Sequence, residues 1–277
     1  MTDFTAGEGA ASPVASQPVD GPAAPQEFAV ETHGLTRRFG AQVAVDGIDL
    51  RVPTGSFYGF LGENGAGKST TISMLTGVLE PTAGAISVLG LPPGVETKRR
   101  IGVVPDGLLL FDRLTGREHL VFVGRLFGLS REEAASRADE LLDAMELASD
   151  GKKLLGDYSF GMRKKVALAA ALIHGPSLLF LDEPFEGVDA VAKAALTNLL
   201  AGLVERRRLT VFITSHVLEV VERLCDTVGV IHRGRLVAQG SLGEVVRAVP
   251  AATNLTDAFV RLVGEGRATA RGLSFLP

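Results

Sequence analysis

Directly behind the apolar run SFYGFL, residues 56–61, lies GENGAGKST, residues 62–70. Its nine positions hold three glycines, one lysine and two hydroxyl side chains, far more than a turn requires. The stretch fits GxxxxGK(S/T), with Gly62, Gly67, Lys68 and Ser69 in the fixed slots. Glycines let such a loop curl into a nest of inward-pointing N–H groups that receives a phosphate. Lys68 adds a positive charge at the β- and γ-phosphates, and the Ser69 hydroxyl reaches a magnesium ion. A helix beginning at the loop's end turns its partial positive charge toward the same anion. Glu63, Asn64, Gly65, Ala66 and Thr70 complete the candidate nucleotide loop. This strand–loop–helix unit commits the chain to an α/β domain.

The rest of the chain has the matching alternation. FAVETHGL and VAVDGIDLRV read as strands of an antiparallel edge, SFYGFL as a buried strand, and a helix is expected from about Lys68 to Val78. PTAG marks a turn before the strand AISVLG, and IGVVP is a further short strand. From about Asp106 to Tyr158 strand signals vanish, and two capping boxes, Thr115 with Glu118 and Ser130 with Glu133, open helical patterns. Strands resume with SLLFLD, LTVFIT and TVGVI, separated by helices at about 189–206 and 216–225, and TNLTDAFVRLVG is a short amphipathic helix. The expected architecture is a mostly parallel sheet core with an antiparallel β edge and a helical subdomain at about 106–175. Residues 28–264 form the domain, between an Ala/Pro-rich tail at 1–27, expected to be disordered, and a loose tail at 265–277.

Composition narrows the partners. The formal net charge of −4 is accounted for by Asp3, Glu8, Asp20 and Glu27, so the body is formally neutral and lacks the basic excess of a nucleic-acid binder. Cys225 is the single cysteine, which excludes an internal disulfide. The densest apolar run, VALAAALI, is eight residues, far short of a membrane span. Neither a basic start nor an apolar h-region marks the first residues as a signal peptide, so a soluble, cytoplasmic protein is expected.

A phosphate loop needs a second magnesium ligand, and SLLFLDEP supplies Asp182 at the C-terminal end of a strand. Glu183 beside it is placed to polarise water, although a buried strand ending in a solvated acidic turn has the same pattern. Ser159 precedes a helix whose apolar positions Val166, Ala169, Ala170 and Ile173 follow helical spacing, and Gly175 and Pro176 end it. His216 stands at a strand-to-helix boundary, where a histidine either reaches a γ-phosphate or simply caps. His33, His119, His174 and His232 carry no such context.

These segments together resemble the nucleotide-binding subunit of an ATP-binding cassette (ABC) transporter, over about residues 28–264. DYSFGMRKKVALAAALIHGPSLLFLDEP is similar to the family's signature motif, its helix and Walker B in unbroken succession. Ser159 and Gly161 match the signature's serine and second glycine, while Phe160 and Met162 depart from its usual LSGGQ. That looser form resembles subunits driving export of drugs, lipids or polysaccharides. FEGVDA resembles the D-loop, with Gly187 and Asp189 in place, and TSHVLEVVERLCD the switch region with His216. Phe39 stands where the family stacks a ring on adenine, and as sequence it reads equally as a core residue. Asp106 stands where the family commonly has glutamine; a carboxylate can ligate magnesium but donates no hydrogen bond.

The resemblance implies a P-loop ATPase of the ABC type that dimerises around two Mg-ATP, with Ser159 and Gly161 completing the partner subunit's site. Glu183, His216 and Lys68 are its implied catalytic residues, and Ser69, Asp182 and Asp106 its magnesium ligands. A separate integral membrane permease is the implied partner, placing the subunit at the inner face of the cell membrane. An importer ATPase, a non-transport ABC protein acting on ribosomes or DNA, and a nucleotide-binding scaffold are the alternatives. Fused cassettes or long coiled coils would mark the second, and the intact Lys68–Asp182–Glu183–His216 set speaks against the third.

Overall fold

A computed structural model describes residues 27–205 and 209–264. The disorder expected of the N-terminal tail therefore falls outside the described residues apart from Glu27, as does the C-terminal tail from residue 265.

Strands β4 (Phe57–Leu61), β7 (Leu178–Asp182) and β8 (Thr210–Ser215) are buried at every position, as their continuous apolar runs demand. They form the middle of a six-stranded sheet, flanked by β6 (Ile101–Val104), β9 (Thr227–His232) and β10 (Arg235–Ser241). Its order is β10-β9-β4-β8-β7-β6, parallel throughout except for the last pair, β10 with β9. Register aligns Leu61 with Ser215 and Thr214 with Asp182, so three strands end on one edge, where ligands bind in such sheets. Tyr58, Phe60 and Phe180 gather around Phe212, with ring centroids 5.3, 5.4 and 5.5 Å away, knitting three neighbouring strands on one face.

The second sheet is antiparallel: β2 (Gln42–Ile48), β3 (Arg51–Pro53) and β5 (Ala83–Val88) all pair with β1 (Phe28–Phe39). The single strand expected at VAVDGIDLRV is thus two strands. Buried Thr32 occupies the break: its hydroxyl donates to the Ile48 carbonyl at 2.9 Å and accepts from the Leu50 N–H at 2.8 Å. Between the two sheets lies one apolar core, which also takes in helix α1 (Lys68–Leu75). That helix stops short of the expected Val78, because Gly77 turns left-handed at φ 67°. A four-residue helix, α2 (Val95–Lys98), precedes β6.

Between β6 and β7 the chain builds α3 (Gly116–Leu126), α4 (Arg131–Ala144) and α5 (Phe160–Leu172). Thr115 and Glu118 make the full reciprocal capping box. The second box is only half made: Ser130 accepts from the Glu133 N–H at 3.0 Å, but the Glu133 carboxylate turns to Arg137 at 2.7 Å. The charge pair one turn further along the helix wins that carboxylate. Helices α6 (Ala190–Glu205), α7 (Leu218–Leu224), α8 (Leu242–Ala248) and α9 (Leu255–Val263) follow among the described residues. Strand β10 and helix α8 are additions to the sequence reading. Arg233 and Gly234, at φ 49° and 80°, make the hairpin turn into β10, and a Ser241–Glu244 capping box opens α8.

Candidate active site

The phosphate-type loop runs from the end of β4 to the start of α1, and its glycines have separate reasons. A Cβ on Gly67 would lie 2.6 Å from the Ala44 carbonyl oxygen, and one on Gly62 2.6 Å from that of Ile231. Those two glycines admit backbone from the neighbouring strands. Gly65, at φ 79°, has no atom within 4 Å of that position, so there the need is conformational alone. The Ala66 carbonyl accepts from the Gly234 N–H at 2.9 Å, tying the loop to the β9–β10 turn. Lys68 is 6% exposed and curls back over the loop, donating to the Gly62 carbonyl at 2.7 Å. Ser69 follows in the first turn of α1 and is exposed; Thr70 is half-buried.

Asp182 ends β7 and is buried, with Thr214 of the adjacent strand beside it. The Thr214 hydroxyl donates to Asp182 Oδ1 at 2.6 Å and accepts the Glu183 N–H at 3.0 Å. One hydroxyl therefore orients both acidic residues, a role the sequence reading did not assign. Its only signal was the TS preceding His216 at the end of a buried strand. The Glu183 carboxylate bridges the two remaining groups of the site. Oε1 lies 3.2 Å from Lys68 Nζ, an ion pair without hydrogen-bond geometry, and Oε2 lies 2.9 Å from His216 Nδ1. The structure thus gathers Lys68, Asp182, Glu183 and His216, from β4–α1, β7 and β8, on one sheet edge. Ser69 and Asp182 offer a hydroxyl and a carboxylate, the oxygen donors that suit a hard divalent cation.

Other expected residues are placed differently. Asp106 is exposed two residues beyond β6, the strand next to β7. Phe39 is 46% exposed at the end of β1, with the Arg37 guanidinium 4.6 Å from its ring centroid. That corrects its reading as a core residue: the ring presents itself to solvent. Ser159 caps α5, accepting from the Met162 N–H at 3.3 Å, and is exposed, whereas Gly161 is buried. Among the described residues, the hydrogen bonds of Ser159 stay within its own helix and do not reach the 62–70 loop. Gly187 has φ 68° and packs on Phe160, where a Cβ would meet ring atom Cε1 at 2.8 Å. The signature's departure from glycine at Phe160 is therefore a contact with the D-loop-like segment. His174 stacks on Phe127 at 3.8 Å and binds the Ile101 carbonyl at 3.0 Å through Nε2, a packing role. His119 is buried, and His232 lies 3.9 Å from Glu63.

The ABC transporter family model matches residues 45–186. Bacitracin transport ATP-binding protein BcrA of Bacillus licheniformis is 39% identical over 213 residues, covering 76% of this chain and 69% of that protein. Daunorubicin/doxorubicin resistance ATP-binding protein DrrA of Streptomyces peucetius is 42% identical over 220 residues, 78% of this chain and 66% of that one. A solved structure of the ATP-binding subunit of an ABC transporter superimposes with a TM-score of 0.76 at 32% identity, covering 84% of this chain and 98% of its own.

Proposed function

The chain belongs to the family of ABC transporter ATP-binding subunits, ATPases that power a membrane permease, and on that premise we propose that Glu183, His216 and Lys68 carry hydrolysis and that the 62–70 loop binds ATP. The observation carrying this reading is the Glu183 carboxylate held between Lys68 and His216. Lys68 exchanges the Gly62 carbonyl and Glu183 for phosphate oxygens when nucleotide enters. Glu183 is then free to accept a proton from the attacking water, while His216 holds its other oxygen and reaches the γ-phosphate. Backbone N–H groups of Glu63, Asn64, Gly65, Ala66 and Gly67, with the hydroxyl of Thr70, cradle the phosphates. Ser69 and Asp182 would hold Mg2+, with Asp106 a third oxygen on the same edge, and the ion would supply positive charge beside the phosphates. The exposed Phe39 ring stacks on adenine.

The subunit works as a dimer, in which Ser159 and the N-terminus of α5, with Gly161, complete the partner subunit's site. It couples to an integral permease at the inner face of the cell membrane, for export. The names of two relatives favour that direction, one a bacitracin transport and one a daunorubicin/doxorubicin resistance ATP-binding protein. No helix among the described residues is long and apolar enough to cross a membrane. The surface supporting a membrane partner is a groove of about 770 Å³ lined by Leu109, Phe111, Phe122, Leu126 and Phe127. Leu109 is 82% exposed and Leu126 70%, an apolar cluster that favours a protein partner.

Glu183→Gln tests the site. It should bind ATP as the parent does, lose turnover, and accumulate a nucleotide-bound dimer on a sizing column. Parental turnover in that variant would remove Glu183 from the proposed role.

A further inference from the structure

Helix α5 carries a lysine inside its packed face. Lys164 is 2% exposed, and its Nζ donates to the main-chain carbonyl of Glu183 at 3.3 Å. The Phe160 ring lies below it, 5.5 Å from Nζ to centroid. A buried ammonium is costly unless opposite charges answer it. Burial lowers the Lys164 pKa, and the carboxylates of Asp106, then Glu186, Asp182 and Glu183, act against that shift.

What Lys164 holds is unusual in its own right. Glu183 sits at φ 47°, a left-handed conformation that side-chain-bearing residues seldom adopt. Such a residue persists where its surroundings over-determine it. Here the Glu183 N–H is held by Thr214, its carbonyl by Lys164 and by the Glu186 N–H at 3.2 Å, and its carboxylate by His216 and Lys68. Through Phe160 on Gly187, α5 touches the segment after Glu183 a second time.

We propose that Lys164 is a positioning residue for hydrolysis: by holding the Glu183 carbonyl it fixes the backbone twist that aims the Glu183 carboxylate. Resting on the reading of Glu183 as the base, this makes the signature helix act on its own subunit's chemistry as well as on the partner's. A lysine that merely balanced the acidic cluster would affect stability and leave turnover alone.

Lys164→Met keeps the side chain's length and removes the donor. In the full chain kcat should fall about 10–100-fold, the range for groups that orient a reacting residue. The KM for ATP should move less than about threefold, since among the described residues the Lys164 ammonium bonds to the Glu183 carbonyl rather than to the 62–70 loop. Melting temperature should fall, because removing the ammonium leaves the buried carboxylates of Asp182 and Glu183 without that counter-charge. Turnover is therefore read well below the melting transition of the variant. Should the Met variant not fold, Lys164→Gln is read by the same measurements. Unchanged kcat beside an inactive Glu183→Gln overturns this inference alone. Parental turnover in Glu183→Gln overturns the base assignment and this inference with it.

Discussion

At the scale of single residues, the site depends on groups whose work is to hold others. Thr214 is the clearest case, since one hydroxyl serves both Asp182 and Glu183. Thr214→Val should lower kcat about 10–100-fold. It should also cost roughly 1–3 kcal/mol of stability, because a buried N–H and a carboxylate oxygen lose their partner. Thr214→Ser, which keeps the hydroxyl, should retain most of the turnover; a loss as large as that of Thr214→Val would contradict the role given to the hydroxyl. The loop glycines separate in the same way. Gly65→Ala meets open space and only the strain of φ 79°, roughly 1–2 kcal/mol, so melting should fall by a few degrees. Gly67→Ala drives a methyl into the Ala44 carbonyl at 2.6 Å and should abolish nucleotide binding or folding. Thermal melts and nucleotide titration of the two variants check the contrast, and similar losses would contradict it.

At the scale of elements, the groove beside α3 faces outward with a cluster of apolar side chains. Leu126→Glu places a charge on a position 70% exposed, so the isolated subunit should keep its ATPase activity and melting temperature. Transport, or co-purification with the permease, should be lost; intact coupling would move the docking site elsewhere. The elements themselves were readable to the degree that their causes are local. Gly62 to Thr70 announced their loop because a phosphate nest needs contiguous residues. The buried strands β4, β7 and β8 announced themselves by unbroken apolar runs. The Thr115 box was readable in full, whereas Ser130 lost its reciprocal bond to Arg137, a competitor one turn beyond the box. The break between β2 and β3 was not legible, since Thr32, the residue that makes it, comes from another strand. Lys164 likewise reads as one more basic residue in RKK; it is the fold, which brings α5 beside Glu183, that buries it.

At the scale of the whole molecule, the central claim is that a site is assembled from two subunits. Lys68, Asp182, Glu183 and His216 meet within one chain, while Ser159 stands exposed at the N-terminus of α5, bonded within its own helix. A two-fold dimer makes both halves meet twice, since the same surface serves each subunit. Lys68→Ala disables the first half. Ser159→Asp disables the second, and Asp caps a helix as well as Ser, so α5 stays formed while a carboxylate faces the partner's phosphates. Each homodimer then carries a defect in both sites. A mixed dimer gathers both defects in one site and leaves the other sound. The measurement is ATP-driven closure of differently tagged, co-expressed mutants, with the mixed species isolated and followed by sizing chromatography alongside ATP turnover. The account predicts that mixed dimers close on ATP and that neither homodimer does. Mixed dimers that close no better than either homodimer would contradict it.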